Sequence, residues 1–144
     1  MRTGVVLTAL VTAMALVMGC AGLLSPSKGG GKLYVSRESV IPDVPMPEGF
    51  TMDLNRSYYN ASSTSGSSTR NGLLTFTGKA EPIDLLGFFR DNMPVSGWVL
   101  KKESSNFGEY ILHFQKGVEA ADIRITPGQF NTDVTVSLHR QNRE

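Results

Sequence analysis

The thiol of Cys20 is the side chain with the clearest chemical potential in this sequence. Cys20 is the only cysteine of the 144 residues, so no second thiol is present to form an intrachain disulfide with it. It directly follows Gly19, at the end of an apolar stretch that occupies residues 4–18. A thiol can be alkylated to a stable thioether, and a small preceding residue fits the cleft of a protease. These residue types meet the chemical requirements for cleavage before Cys20 and for modification of its sulfur.

The segment Val17-Met18-Gly19-Cys20, with Arg2 ahead of the apolar stretch, resembles the lipobox of a bacterial lipoprotein signal peptide. The resemblance implies that residues 1–19 are removed and that lipid on Cys20 anchors the protein in the cell envelope. Two or three acyl chains would make the attachment permanent. Ala21 replaces the Asp that usually retains such proteins in the inner membrane, which implies the periplasmic side of the outer membrane if the host has two membranes. The alternatives are an uncleaved signal anchor, a buried helix and ordinary secretory cleavage.

No other set of residues has the spacing of a catalytic or metal site. His113 and His139 are predicted at outward strand positions without a carboxylate cluster, and no cysteine is left as a metal ligand. The serines at 62–68 lack a Gly-x-Ser-x-Gly turn, and the glycines at 29–31 do not join a strand to a helix. We therefore expect no catalytic residues, no metal and no cofactor, in a protein that is not an enzyme.

The charge balance argues against a nucleic-acid partner. The chain has 14 basic and 13 acidic residues, and removal of Arg2 with the signal would leave it formally neutral. A neutral chain without a basic stripe has little electrostatic attraction for nucleic acid or anionic lipid. The partners that we expect are the membrane, through the lipid on Cys20, and an envelope protein or peptidoglycan.

Three segments are predicted along the chain: a signal peptide at 1–19, the lipidated cysteine with a flexible tether at 20–38, and a single α+β domain at 39–144. The tether contains Ser-Pro-Ser-Lys-Gly-Gly-Gly-Lys at 25–32, which is typical of a flexible linker. A proline-rich arm at 39–50 opens the domain, and its prolines predict an extended conformation. The apolar residues of the arm are predicted to pack on the domain: Val40, Ile41, Val44 and Met46.

Hydrophobic spacing in the domain predicts the order β-β-α-β-β-β-β. The first strand is predicted at 51–60, with Met52, Leu54 and Tyr58 facing inward, and residues 61–71 are predicted to be an exposed, mobile hairpin loop. One helix about 10 Å thick cannot cover a flat six-stranded sheet about 24 Å wide. We therefore expect a two-layer fold in which a curled antiparallel sheet of about six strands packs on one helix.

The helix is predicted to begin near Ala80, with Pro82 in its first turn, and to end at Pro94 and Gly97. Its last part, Phe88-Phe89-Arg90-Asp91-Asn92-Met93-Pro94-Val95-Ser96-Gly97-Trp98, resembles a signature of small uncharacterised bacterial lipoproteins, an aromatic pair followed by Met-Pro-x-x-Gly-Trp. In that group the signature often follows a Pro-x-Pro-x-Gly segment like residues 45–49. The resemblance implies fold and location rather than mechanism, and the residues themselves predict a folding corner.

The function that we expect is that of a lipid-anchored envelope protein which binds or positions another component through the outer sheet face and the 61–71 loop. The contact residues predicted on that face are Lys101, Glu103, Asp122 and Arg124. The alternative is a small-ligand carrier or enzyme with its site inside the curled sheet, near Tyr58, Trp98 and Tyr110. A spacer without a ligand is a third possibility. A filled core would favour the first hypothesis, and a well-formed apolar cavity would favour the second.

Overall fold

The structure, a computed structural model, describes residues 32–64 and 67–141, and omits the side chains of 64–68. The predicted signal peptide, Cys20 and most of the predicted tether lie outside these residues. In the described part of the chain the strands are β1 (Thr51–Met52), β2 (Tyr58–Thr64), β3 (Ser67–Gly78), β4 (Val99–Asn106), β5 (Glu109–Lys116), β6 (Glu119–Pro127) and β7 (Thr132–Arg140). The α-helix α1 is Pro82–Asn92.

The strands form one open antiparallel sheet that curls around α1, which confirms the predicted two-layer α+β fold. The strand order is β1-β3-β7-β6-β5-β4, and β2 also pairs with β3. The N-terminal half joins the C-terminal half where Gly72–Gly78 of β3 pairs with Leu138–Thr132 of β7. The inward side of this sheet faces the helix, and the outward side is polar.

A 3-10 turn at Leu54–Arg56 divides the predicted first strand into β1 and β2. The Asp53 carboxylate caps this turn by accepting hydrogen bonds from two backbone N–H groups of the segment, at 2.9 and 3.3 Å. The turn changes which side chains face the core. Leu54 is 75% exposed and Tyr58 is 57% exposed, whereas Tyr59 packs against the core. The prediction that Leu54 and Tyr58 point inward is therefore wrong.

Residues 61–64 and 67–71 belong to the paired strands β2 and β3 and not to the predicted mobile hairpin loop. The pairing of β2 with β3 runs from Tyr58 opposite Leu73 to Thr64 opposite Ser67. Backbone hydrogen bonds hold this hairpin, and these bonds do not require apolar side chains. The mobile conformation predicted from the polar composition of this segment is therefore wrong.

The space between α1 and the sheet is filled with apolar side chains. The helix begins at Pro82, as predicted, and buries a broad apolar face against the sheet. Phe89 of the helix and Phe114, Ile123 and Val136 of the sheet are each 0% exposed. Close packing of this kind leaves no room for a ligand between the two layers as they stand.

The proline-rich arm covers the core, as predicted, although it is not continuously extended. Ile41, Val44 and Met46 are buried, whereas Val40 is 43% exposed. A turn bends the arm, with the Val44 N–H donating to the Ile41 carbonyl at 3.0 Å. The arm also folds back on the preceding residues, where Val35 forms an antiparallel bridge with Pro47.

The chain reverses direction after α1 in the predicted folding corner. Pro94–Ser96 forms a 3-10 turn, and Gly97 ends it with a φ of +86°, a conformation that glycine adopts without strain. Trp98 follows immediately and is 1% exposed. The corner therefore sends the chain from the helix into β4 with the indole buried in the core.

Candidate functional site

Four charged side chains, which we call the arm cluster, meet beneath the proline-rich arm: Asp43, Arg70, Lys116 and Glu119. Arg70 donates two hydrogen bonds to the Asp43 carboxylate, at 2.6 and 2.9 Å, and two to the Glu119 carboxylate, at 2.9 and 2.5 Å. Lys116 Nζ donates to Asp43 at 2.7 Å. The side chains of Arg70, Asp43 and Glu119 are only 16–18% exposed. The cluster thus fastens the arm to β3, β5 and β6.

The ionisation of the arm cluster is matched to its geometry. Burial of the Asp43 carboxyl raises its pKa, but the hydrogen bonds and positive charges of Arg70 and Lys116 outweigh burial and lower the pKa to about 2. The pKa of Arg70 is raised, first by its hydrogen bonds to Glu119 and then by those to Asp43. Two cations and two anions neutralise one another, so the cluster holds the arm rather than offering a charge to a ligand.

Trp98 connects the folding corner to the same arm. Its indole Nε1 donates to the backbone carbonyl of Asp43 at 2.8 Å. Lys116 Nζ lies 5.7 Å from the centroid of the indole ring, within the range of a cation–π contact. The arm is therefore held by its backbone as well as by the carboxylate of Asp43.

Three open clefts lie along the edges of the arm and the helix. One, which we call the α1 cleft, has a volume of about 500 Å³ and lies between the start of α1 and the β6–β7 loop. Its apolar walls come from three separate segments, which contribute Leu33, Pro82, and Pro127 with Phe130. Thr132 Oγ1 donates to the Ala80 carbonyl at 2.7 Å and ties the two sides together. The volume is in the range of small-molecule sites.

Two further clefts flank the arm. One of about 570 Å³ lies between residues 32–35 and the outer side of α1, and it shares Leu33 with the α1 cleft. The other, of about 400 Å³, lies between the arm and the end of α1. Both are shallow openings at the surface, as is the α1 cleft.

The residues predicted to form one contact surface do not lie together. A β-bulge shifts the register between Leu100 and Lys102, which turns Glu103 toward the helix side of the sheet. There Arg90 donates two hydrogen bonds to the Glu103 carboxylate, at 2.8 and 2.6 Å. The prediction that Glu103 belongs to the outer face with Lys101 is therefore wrong.

Asp122 and Arg124 do lie on the outer face, where each has an ionic partner. Arg124 donates to Glu109 at 3.1 Å. Asp122 lies between the two histidines: it is hydrogen bonded to His113 Nδ1, and His139 Nδ1 is 3.9 Å from its second oxygen. The sequence interpretation missed this carboxylate, although the short turn between β5 and β6 places His113 directly opposite Asp122. Across 32–64 and 67–141, no group of three or more His, Cys, Asp or Glu residues is arranged to hold a metal ion.

The site predicted inside the curled sheet is not assembled. Tyr58 is exposed on the outer face, and Trp98 is buried with its N–H bonded to the arm. Tyr110 packs at the margin of the core, opposite Ile125. These three residues therefore do not converge on a cavity. No helix within the described residues has the length and hydropathy needed to cross a bilayer.

Comparison with known proteins defines the class to which this fold belongs. A model of the START domain-like family matches residues 58–141, which include β2, β3, α1 and β4 to β7. The chain belongs to the START domain-like family, whose members are ligand-binding domains that are generally not enzymes. No curated protein and no solved structure matches the chain. The matched region begins after the arm.

Proposed function

We propose that the protein is a lipid-anchored, non-enzymatic binding module of the cell envelope, and that it takes a small amphipathic ligand in the α1 cleft. The observation that carries the proposal is the cleft itself: an opening of about 500 Å³ in a ligand-binding fold whose interior is already filled. A filled interior was the feature expected to favour a module that binds another envelope component at its surface over a carrier with an internal site. The cleft brings an apolar wall and polar groups together at the surface.

The composition of the α1 cleft indicates the chemistry of its ligand. Prolines 82 and 127 and the ring of Phe130 provide apolar contact, while Lys79, Glu81 and Gln129 place polar groups at the rim. A ligand with an apolar body and a polar end would bury its body against the prolines and keep its polar end near water. An envelope protein or a peptidoglycan fragment with such an end is an alternative occupant of the same cleft.

The ligand is tested by recovering it with the protein. Protein purified from membranes is extracted with organic solvent, and the extract is analysed by mass spectrometry. Gln129→Trp places an indole in the cleft, and Lys102→Trp places the same indole on the outer sheet face as a control. We expect one species to accompany the wild type and Lys102→Trp but not Gln129→Trp. Equal recovery from all three proteins, or from none, would contradict the proposal.

The anchor rests on the thiol chemistry and lipobox-like surroundings of Cys20, and it has its own test. Substitution Cys20→Ser removes the sulfur on which the thioether forms. The precursor should then remain uncleaved and should not be labelled by fatty-acid analogues in cells. Unchanged labelling of the serine variant would refute lipidation at this residue while leaving the ligand experiment unaffected.

A second candidate site lies beneath the arm. The arm precedes the region that matches the family, yet it supplies Ile41, Val44, Met46 and Phe50 to the core. An arm that lifted would expose an apolar surface between the helix and the sheet, where a carrier could hold its ligand. An apolar fluorescent dye should then bind Asp43→Asn saturably and more tightly than Val134→Ala, which weakens the core without touching the arm cluster. Equal binding to the two variants would reject this candidate.

A further inference from the structure

Phe107 occupies a turn in a way that the fold does not explain. It forms, with Gly108, the two-residue turn between β4 and β5, and their φ angles are +46° and +82°. A left-handed conformation is strained for a bulky residue, and turns of this kind strongly favour Asn-Gly. The Phe107 ring is 99% exposed, so it gains no burial in return. An exposed aromatic residue in a strained turn suggests a contact outside the chain.

Phe130 presents a second exposed ring at the same end of the sheet. It lies in the β6–β7 loop and is 80% exposed. The two turns are neighbours, because a Cβ built on Gly108 would lie 3.7 Å from the side chain of Pro127. The β4–β5 and β6–β7 hairpins are two strand spacings apart, which corresponds to about 10 Å along the edge of the sheet. Two phenylalanines therefore extend side by side from adjacent hairpins.

The proposed lipid anchor reaches this end of the domain. Leu33, near the start of the described residues, lines the same cleft as Phe130. The chain from Cys20 to Lys32 can extend over at most about 40 Å, so a lipid on Cys20 would let this end of the domain reach the bilayer. A tethered surface needs little affinity of its own, because the tether supplies a high effective concentration.

The charges near the two rings indicate which feature of a membrane they would meet. Exposed Lys79 is beside exposed Glu81 at the rim of the cleft, and Glu109 is already paired with Arg124. Such a balanced surface does not select anionic lipids. Apolar rings at an edge without an excess of positive charge suit the boundary between headgroups and acyl chains, where aromatic side chains are favoured.

From these observations we infer that the end of the sheet bearing Phe107 and Phe130 is a membrane-contact surface, with both rings seated in the headgroup region of the bilayer to which Cys20 is anchored. The inference rests on the proposed anchor and goes beyond it, because an anchor alone fixes distance and not orientation. The bound lipid surface orients the domain so that the α1 cleft, which Phe130 lines, opens at the membrane.

The test adds one tryptophan at a time to the chain, whose own tryptophan gives a constant background emission. Trp98 is the only tryptophan and is 1% exposed, so it contributes equally to every variant. Phe107→Trp and Phe130→Trp each add one indole at the proposed surface. Val95→Trp adds one at an 84% exposed apolar position beyond the opposite end of α1, and serves as the matched control. Each lipidated protein is reconstituted into vesicles of phosphatidylcholine with brominated acyl chains. The vesicles contain no other protein.

We expect bromine to reduce the added emission about two-fold or more at positions 107 and 130, and to leave the emission at 95 nearly unchanged. Quenching of all three positions to the same extent, or of neither ring position, would overturn the inference. Flotation of the vesicles reports the anchor separately. If the protein does not float and its Cys20 thiol is free, the anchor has failed, and the same measurement is made after coupling that thiol to a maleimide lipid.

Discussion

Replacing Asp43 by Asn should loosen the arm and lower the stability of the whole domain. The substitution keeps the shape of the side chain but removes the charge that Arg70 and Lys116 share. Arg70 keeps Glu119 as a partner, and Lys116 can turn toward water. The substitution therefore weakens mainly the attraction between the arm and the sheet, and it does not alter the apolar side chains of the core.

The size of the effect follows from the pKa of Asp43, which falls from 3.8 to about 2 in the folded protein. Each pKa unit corresponds to about 1.4 kcal/mol, so the carboxylate contributes about 2 kcal/mol to folding at neutral pH. The carboxyl of Asp43 is more acidic in the folded state than in the unfolded state. Its contribution is therefore complete above the unfolded pKa and disappears as the pH falls from about 4 to about 2.

The assay is urea unfolding of the wild type and Asp43→Asn at several pH values. We expect the free energies of unfolding to differ by about 2 kcal/mol at pH 7 and to converge near pH 2. Acrylamide quenching of Trp98, whose N–H is bonded to the arm, should increase in the variant. Asp53→Asn is the control, because Asp53 also pairs with an arginine but lies at the surface, where water screens the pair. A stability difference that stays constant from pH 7 to pH 2 would refute the reasoning.

Three further substitutions test other parts of the fold. Gly78→Ala should cost about 1–3 kcal/mol, because the added Cβ would lie 2.5 Å from the ring of Phe50; an unchanged urea midpoint would show that the ring moves freely. Phe107→Asn should raise the free energy of unfolding by up to about 1 kcal/mol, because Asn tolerates the left-handed turn; a lower melting temperature would mean that the ring stabilises the fold. Trp98→Phe should lower the free energy of unfolding by about 1 kcal/mol, because the carbonyl of Asp43 loses its hydrogen-bond donor. An unchanged urea midpoint would argue against that hydrogen bond.

The regular elements could be predicted because their signals are local. Alternating or helical spacing of apolar residues predicts β4 to β7 and α1, and proline and glycine predict the start of the helix and the corner at Gly97. The width of six strands against one helix was enough to predict curling. These inferences need only the neighbours of each residue in the sequence and the standard dimensions of helices and strands.

Two short irregularities in the strands move side chains to the side of the sheet opposite to the predicted one. The 3-10 turn capped by Asp53 reversed the positions of Tyr58 and Tyr59. The bulge at Lys101 moved Glu103 to the helix side. Because strand side chains alternate with period two, a single irregular step exchanges the inward and outward faces beyond it. The sequence signal for the first was Asp53 placed two and three residues before the polar pair Asn55-Arg56, and a prediction from alternation alone misses it.

The arm cluster could not be predicted, because its members come from distant parts of the chain. Asp43 lies 27 residues from Arg70 and 73 residues from Lys116. Only the pairing of β3, β6 and β7 and the docking of the arm bring them together. One local signal was present: a charged residue within the apolar arm must find a partner when the arm is buried.

The place of β3 beside β7 also decides when the molecule can fold. Residues 72–78 pair with β1 and β2 on one side, but their partners on the other side, residues 132–138, belong to the last described strand. A growing chain therefore cannot complete its sheet until the final strand has been synthesised, and loop closure over such a distance slows folding. Removal of β7 would leave one side of β3 and one side of β6 unpaired, so the two halves of the sheet would not join.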